Sequence, residues 1–142
     1  MANYVTFEQA KWLKEKEFHL PTLSFYVIDD EDEDNGYGEL GELVDDPNYS
    51  FPSLADNTLF DALASAPEQH QVVEWLRVNH SIWISVGVDD LFHKGKFYIL
   101  IKKHNIDRWD LISLDNKIHS PYDSPQEAYS AAFDYIKDNN LI

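Results

Sequence analysis

Residues 81–114 read "SIWISVGVDDLFHKGKFYILIKKHNIDRWDLISL", and the partition of this stretch decides the fold. In "SIWISVGV" (81–88), Ile82, Ile84, Val86 and Val88 alternate with Trp83, Ser85 and Gly87. A period of two is a strand pattern, because successive side chains point to opposite faces. "KFYILIKK" (96–103) stays apolar on both faces through Phe97, Tyr98, Ile99, Leu100 and Ile101, as suits a central strand. "RWDLISL" (108–114) follows the short connection "HNID". Three consecutive strands with short links predict an antiparallel meander with the Ile99 strand in the middle.

Outside the meander, three segments carry the same helix-start chemistry. In "TFEQ", Thr6 can cap the amide of Gln9 while the Gln9 side chain reaches back to Thr6. "SAPE" repeats this with Ser65 and Glu68, and "SPQE" with Ser124 and Glu127, where Pro125 takes the first helical position. Each of these capping boxes precedes an apolar pattern of helical period. The first predicted helix runs from about Phe7 to Lys16, with Phe7, Ala10 and Leu13 on one face. The second spans about Ala66 to Val78, with Val72, Trp75 and Leu76 inward and Asn79 as its left-handed stop. The third spans about Pro125 to Asp138, with a stripe of Ala128, Ala131, Ala132, Tyr135 and Ile136. One helical turn is expected at Thr58–Ala64.

A fourth strand is expected at "LSFYVI" (23–28), with "GYGELGELV" (36–44) as its hairpin partner and Asn35-Gly36 turning the chain. The order is then helix, hairpin, helix, meander, helix. This is the α+β class: an antiparallel sheet, made of a three-strand meander plus an N-terminal hairpin, packed by three helices. The 142 residues fit a single domain, 1–142, with an acidic insertion-like segment at 29–58. The longest irregular stretch, "DDPNYSFPSLADNT" (45–58), holds Tyr49, Phe51 and Leu54 and reads as a packed loop.

Composition narrows the function classes. The chain is 44% hydrophobic and 14% aromatic, which argues against wholesale disorder. It has no cysteine, so disulfides, thiolate metal sites and thiol catalysis are excluded. The N-terminal residues show no basic-then-apolar signal pattern, and no apolar run approaches the length of a membrane span. A soluble, cytoplasmic protein is the resulting expectation. The net charge of −15 is placed unevenly: from Glu17 to Glu74 there are fifteen acids and no Lys or Arg. Direct nucleic-acid binding is disfavoured, since phosphate neutralisation needs clustered bases. Attachment to anionic lipid is disfavoured for the same reason.

The densest acidic stretch is "FYVIDDEDEDNGYGELGELVDD" (25–46). Asp29, Asp30, Glu31, Asp32, Glu33 and Asp34 follow without a break, and ten acids fall between Asp29 and Asp46. Three readings compete. Glu31, Glu33, Asn35, Gly36 and Glu42 match calcium-loop positions one, three, five, six and twelve. The match is loose, because Glu replaces the shorter Asp at position one and the flanks read as strand and loop. The second reading is an acidic nucleic-acid mimic that occupies a partner's phosphate-binding groove. The third is a solvated loop. Other chemistry is sparse. His19, His70, His80, His93, His104 and His119 are scattered, and no pair has the zinc-helix spacing. There is no G-x-S-x-G motif and no P-loop. Trp75, Trp83 and Trp109 are expected in the core. Trp12 lies off the Phe7–Leu13 stripe and is expected to be exposed, which makes it a candidate contact residue.

Four segments, "VTFEQAKWLKEKEF" (5–18), "SAPEQHQVVEWLRVNHSIWI" (65–84), "KFYILIKK" (96–103) and "SPQEAYSAAFDYIKDNNLI" (124–142), together resemble small uncharacterised proteins of Bacteroidetes and their phages. The resemblance covers about half the chain and leaves out the acidic segment. In that family a Gly commonly sits where this chain has Glu17, and another at Ser81. The resemblance implies a phage or mobile-element setting and a compact accessory domain, and it carries no activity or site residue onto this chain.

These readings converge on a non-catalytic accessory protein that works by protein–protein interaction, as a virion component or a binder of a host factor. Its expected contact residues are the run Asp29–Asp34 with Tyr37, Tyr49 and Phe51, facing a protein partner with a basic surface. No cofactor and no metal are expected, and oligomeric state is left open. The alternatives are the nucleic-acid-mimic inhibitor and a small enzyme with a carboxylate-based site. Location would be the host cytoplasm or the virion.

Overall fold

Thr6 and Gln9 form the reciprocal pair that the sequence implies. The Gln9 amide donates to Thr6 Oγ1 at 3.2 Å, and the Thr6 amide donates to Gln9 Oε1 at 3.0 Å. They open helix α1, Phe7–Glu15. The computed structural model describes residues 3–20, 22–28, 40–45, 62–89, 95–105, 108–115 and 122–142. Among them are three helices and two three-stranded antiparallel sheets, so the chain is α+β. Two compact units, Met1–Gln71 and Val72–Ile142, divide it.

In the first unit, β1 (Phe25–Val27) is the centre of a sheet ordered β2-β1-β3. All three of its residues are buried. β2 (Leu43–Val44) pairs with it antiparallel, Tyr26 opposite Leu43 and Phe25 opposite Val44. This is the hairpin partner expected within 36–44. The proposed turn at Asn35-Gly36 lies outside the described residues. The other neighbour, β3 (Leu63–Ser65), pairs Phe25 with Ser65 and Val27 with Leu63. It corrects the expected helical turn at Thr58–Ala64: Leu63 and Ala64 are strand, and 58–61 lie outside the described residues. "LAS" has weak strand propensity, and pairing with β1 overrides it. α1 packs on β3, where Lys14 Nζ donates to the Leu63 carbonyl at 2.5 Å.

The same strand corrects the second capping box. The Ala66 amide donates to the Ser24 carbonyl at 2.8 Å, and Glu68 bridges Tyr4. Residues 65–68 are thus held extended, and α2 runs Gln69–His80 rather than from Ala66. The box function moves three residues along: Gln71 Oε1 accepts from the Glu68 amide at 2.9 Å. The stop also moves. Asn79 is helical and donates to the Trp75 carbonyl at 3.2 Å, and the left-handed residue is Ser81 at φ 56°.

In the second unit, β4 (Ile82–Asp89), β5 (Lys96–Asn105) and β6 (Arg108–Asp115) form the expected meander, ordered β4-β5-β6 with Ile99 in the middle strand. A register shift at Ile101/Lys102 marks a bulge against β6. Ile82, Ile84, Ile99 and Ile101 are buried on one face, and α3 (Pro125–Asp138) packs against β4 and β5. Ser124 caps α3 through the Glu127 amide at 3.1 Å. The Glu127 carboxylate returns to the Asp123 amide at 2.9 Å rather than to Ser124. The buried stripe is Ala128, Ala132, Phe133 and Ile136, with Ala131 and Tyr135 only half-buried.

Trp12 is 6% exposed, which overturns its reading as a contact residue. The buried face of α1 is Gln9, Ala10, Trp12 and Leu13. Gln9 hides there because its amide group is committed to the cap, so a polar residue belongs to the apolar face and turns the stripe toward Trp12. Phe7 is half-buried, with Lys11 Nζ 4.5 Å from its ring centroid.

Candidate functional site

The acidic segment is rooted in the first unit's sheet. Ile28, the last described residue before it, donates its amide to the Ala62 carbonyl at 2.8 Å. Where the chain is next described, Leu40 bridges Val27, and the Gly41 amide donates to the Val27 carbonyl at 2.7 Å. Gly41 has φ 77°, a left-handed conformation that glycine adopts without strain, and its Cα faces the Phe7 ring. The two ends of the segment therefore leave and rejoin the same strand. Asp29, Asp30, Glu31, Asp32, Glu33, Asp34, Tyr37, Tyr49 and Phe51 all lie outside the described residues. Of the calcium-loop pattern only Glu42 is described, and it is exposed.

The ionic setting of the root follows from its sparse cations. The first unit contains sixteen acids and three bases, Lys11, Lys14 and Lys16, all on or beside α1. Lys11 pairs with Glu8 at 2.8 Å, and Lys14 is turned to the Leu63 carbonyl. Asp45, just past β2, is exposed and accepts from Ser24 Oγ at 2.7 Å. Leu23 and Leu40, near the root, are 65% and 57% exposed. Tyr26 in β1 donates its hydroxyl to the Val5 carbonyl at 2.6 Å, and burial holds this phenol above its ordinary pKa.

The second unit is nearly balanced, with ten acids and eight bases. On α2 the Arg77 guanidinium grips Glu74 at 2.5 and 3.2 Å, and this hydrogen-bonded pairing holds the Glu74 carboxyl below its ordinary range. His70, four residues before Glu74, pairs instead with Glu68 at 3.1 Å. Lys96 forms an ion pair with Asp123. Among the described residues no group of three or more His, Asp or Glu side chains could hold a metal ion, and no helix is long and apolar enough to cross a membrane.

A feature that sequence reasoning missed is Trp83. It is 42% exposed on β4, with its indole N–H donated to Ser85 Oγ at 3.0 Å. The signal was in the alternation: Trp83 shares its face with Ser85 and Gly87, opposite the Ile/Val face. Across from it, the Tyr98 ring lies over Gly87 so closely that a Cβ there would stand 2.3 Å from Tyr98 Cζ. The elements define an α+β protein with a strongly acidic half. No protein-family model, curated protein or solved structure matches the chain.

Proposed function

We propose that this is a non-catalytic acidic accessory protein that binds a partner protein with a basic surface through segment 29–46 and the neighbouring Tyr37, Tyr49 and Phe51. One observation supports the reading. Nearly the whole charge surplus belongs to the unit Met1–Gln71, whose few lysines sit on or beside α1, two of them already engaged. A segment this charged repels itself, and a basic surface relieves that repulsion while steering encounter. The resemblance to phage-associated proteins sets the partner in a bacterial host or in a virion. Affinity capture from such a host, at low and high salt, tests the proposal. A specific partner is expected that is released between about 0.1 and 1 M salt, where the screening length shrinks from about 10 to 3 Å. Replacing Asp29–Asp34 by Asn and Gln is expected to abolish capture. A complex indifferent to both changes would sink the proposal.

The density of ten acids between Asp29 and Asp46 favours a second reading, in which the segment mimics nucleic acid. Its mark would be a captured partner that is itself a nucleic-acid-binding protein, displaced by added duplex.

A further inference from the structure

The outer edge of the meander, β4, has an unusual chemistry. The His104 amide donates to the Ser81 carbonyl at 2.8 Å, so Ser81 and His104 form a hydrogen-bonded pair. Bonded and non-bonded pairs alternate along an antiparallel ladder. The register of Trp83 with Lys102, Ser85 with Leu100 and Gly87 with Tyr98 then makes these the bonded pairs of β4 with β5. Ile82, Ile84, Val86 and Val88 turn their amides and carbonyls the other way, outward from the sheet. β4 is the terminal strand of its sheet, and among the described residues no bridge is made to its outer side.

Natural edge strands are guarded by lysine, proline, bulges or short length. β4 has none of these. It is eight residues long, its register with β5 is unbroken from Ile82 to Asp89, and it carries no charge before Asp89. In a protein of net charge −15, an uncharged, β-branched edge is a local exception.

We propose that β4 pairs with β4 of a second copy, antiparallel about a two-fold axis through Ser85. Three observations select this occupant. The first is charge: Ile82–Val88 is uncharged and the unit around it is nearly balanced, so the two strands oppose no like charges along this stretch. A basic peptide would find nothing to pair with along the strand. The second is register. Only residues whose backbone groups face outward can bond, and about Ser85 these match as Ile84 with Val86 and Ile82 with Val88 of the other copy. Each such pair exchanges two bonds. The third is shape. The same register sets Trp83 opposite the other copy's Gly87, where no β4 side chain intervenes and the Tyr98 ring covers the backbone, so the indole meets that ring. It also sets Val88, 47% exposed, opposite the buried Ile82. Ser85 meets Ser85 at the axis, where small hydroxyls fit. The two meanders become one six-stranded sheet with an isologous seam.

Sedimentation of the full chain over a concentration series, together with two variants, tests this. The chain lacks cysteine, so Ser85→Cys introduces a single thiol. Non-bonded antiparallel pairs hold their Cα atoms about 4.5 Å apart, within disulfide reach. Under mild oxidation Ser85→Cys is expected to give a covalent dimer far faster than Val78→Cys on exposed α2. Val86→Pro removes an outward amide only, leaving the β4–β5 ladder whole. It is expected to weaken association at least about 30-fold, two ladder bonds being lost across the symmetric pair, with an unchanged far-ultraviolet spectrum. A monomer persisting to about 1 mM, or a dimer in which Ser85→Cys crosslinks no faster than Val78→Cys, overturns the proposal. If Val86→Pro fails to fold, the crosslinking comparison decides alone.

Discussion

Glu17 and Ser81 occupy left-handed backbone, at φ 63° and 56°, where a side chain's Cβ crowds the carbonyl. At Glu17 the reason is a Schellman motif: the Phe18 amide bonds the Leu13 carbonyl at 3.0 Å and the Glu17 amide bonds that of Lys14 at 3.2 Å. Leu13 and Phe18, joined by the first of these bonds, are both fully buried, and their burial keeps the motif in place despite the strain. Glu17→Gly and Ser81→Gly are each expected to stabilise by about 0.5–1 kcal/mol, the relief of strain exceeding glycine's greater unfolded-state entropy. Urea midpoints moving upward would check this. Asn140, at φ 51° in the same motif at the end of α3, tolerates the region, so Asn140→Gly should change little. Tyr26 gives a pH signature. Its pKa is raised in the folded state, so the fold holds the phenolic proton more tightly than the unfolded chain does. That stability is whole below the unfolded value of about 10 and is lost as pH rises through the higher folded value. The melting temperature of the wild type should therefore fall more steeply above that pH than that of Tyr26→Phe. The variant should also lose about 1 kcal/mol at neutral pH with the Val5 bond.

Among the elements, β5 divides its burdens by pleat. Ile99 and Ile101 are buried on one face of the sheet, while Tyr98 and Leu100 on the other face are half-buried. Ile101→Ala is expected to cost about 2–5 kcal/mol, as a full cavity does, and Leu100→Ala distinctly less. Equal urea midpoints for the two variants would contradict this reading of the pleat. A run apolar on both faces identified the central strand but not its buried face, because the answer depends on which side other elements cover. Helix starts show a similar division. Thr6 and Ser124 act where the local motif puts them, and Thr6→Ala should cost about 1 kcal/mol. Ser65 carries the same motif, yet it is held extended opposite Phe25, and the next amide, that of Ala66, is bonded to the Ser24 carbonyl across the sheet, so strand pairing outweighs the cap.

At the scale of the whole molecule, charge is the dominant fact. The formal net charge is −15 and its surplus is concentrated before Gln71. Self-repulsion of this kind destabilises the folded state and is screened by salt. The melting temperature is expected to rise as salt is added, and replacing Asp29–Asp34 by Asn and Gln should raise it at low salt while flattening the salt dependence. A variant melting below wild type at every ionic strength would show that these acids make specific stabilising contacts.

The sequence by itself determined the α+β class, the three-strand meander, the first and third helices with their caps, and the location of the charge. All of these follow from groups a few residues apart, whose periods and hydrogen bonds act locally. The tertiary structure alone decided the rest. β3 is a strand because β1 lies beside it, although "LAS" carries no strand period. Trp12 is buried and Trp83 exposed, reversing the expectation, because burial depends on which element covers a face. The turn at Ser81 and the delayed start of α2 likewise follow from chain that is distant in sequence: His104 bonds the Ser81 carbonyl, and Tyr4 and Ser24 hold residues 66–68 out of the helix.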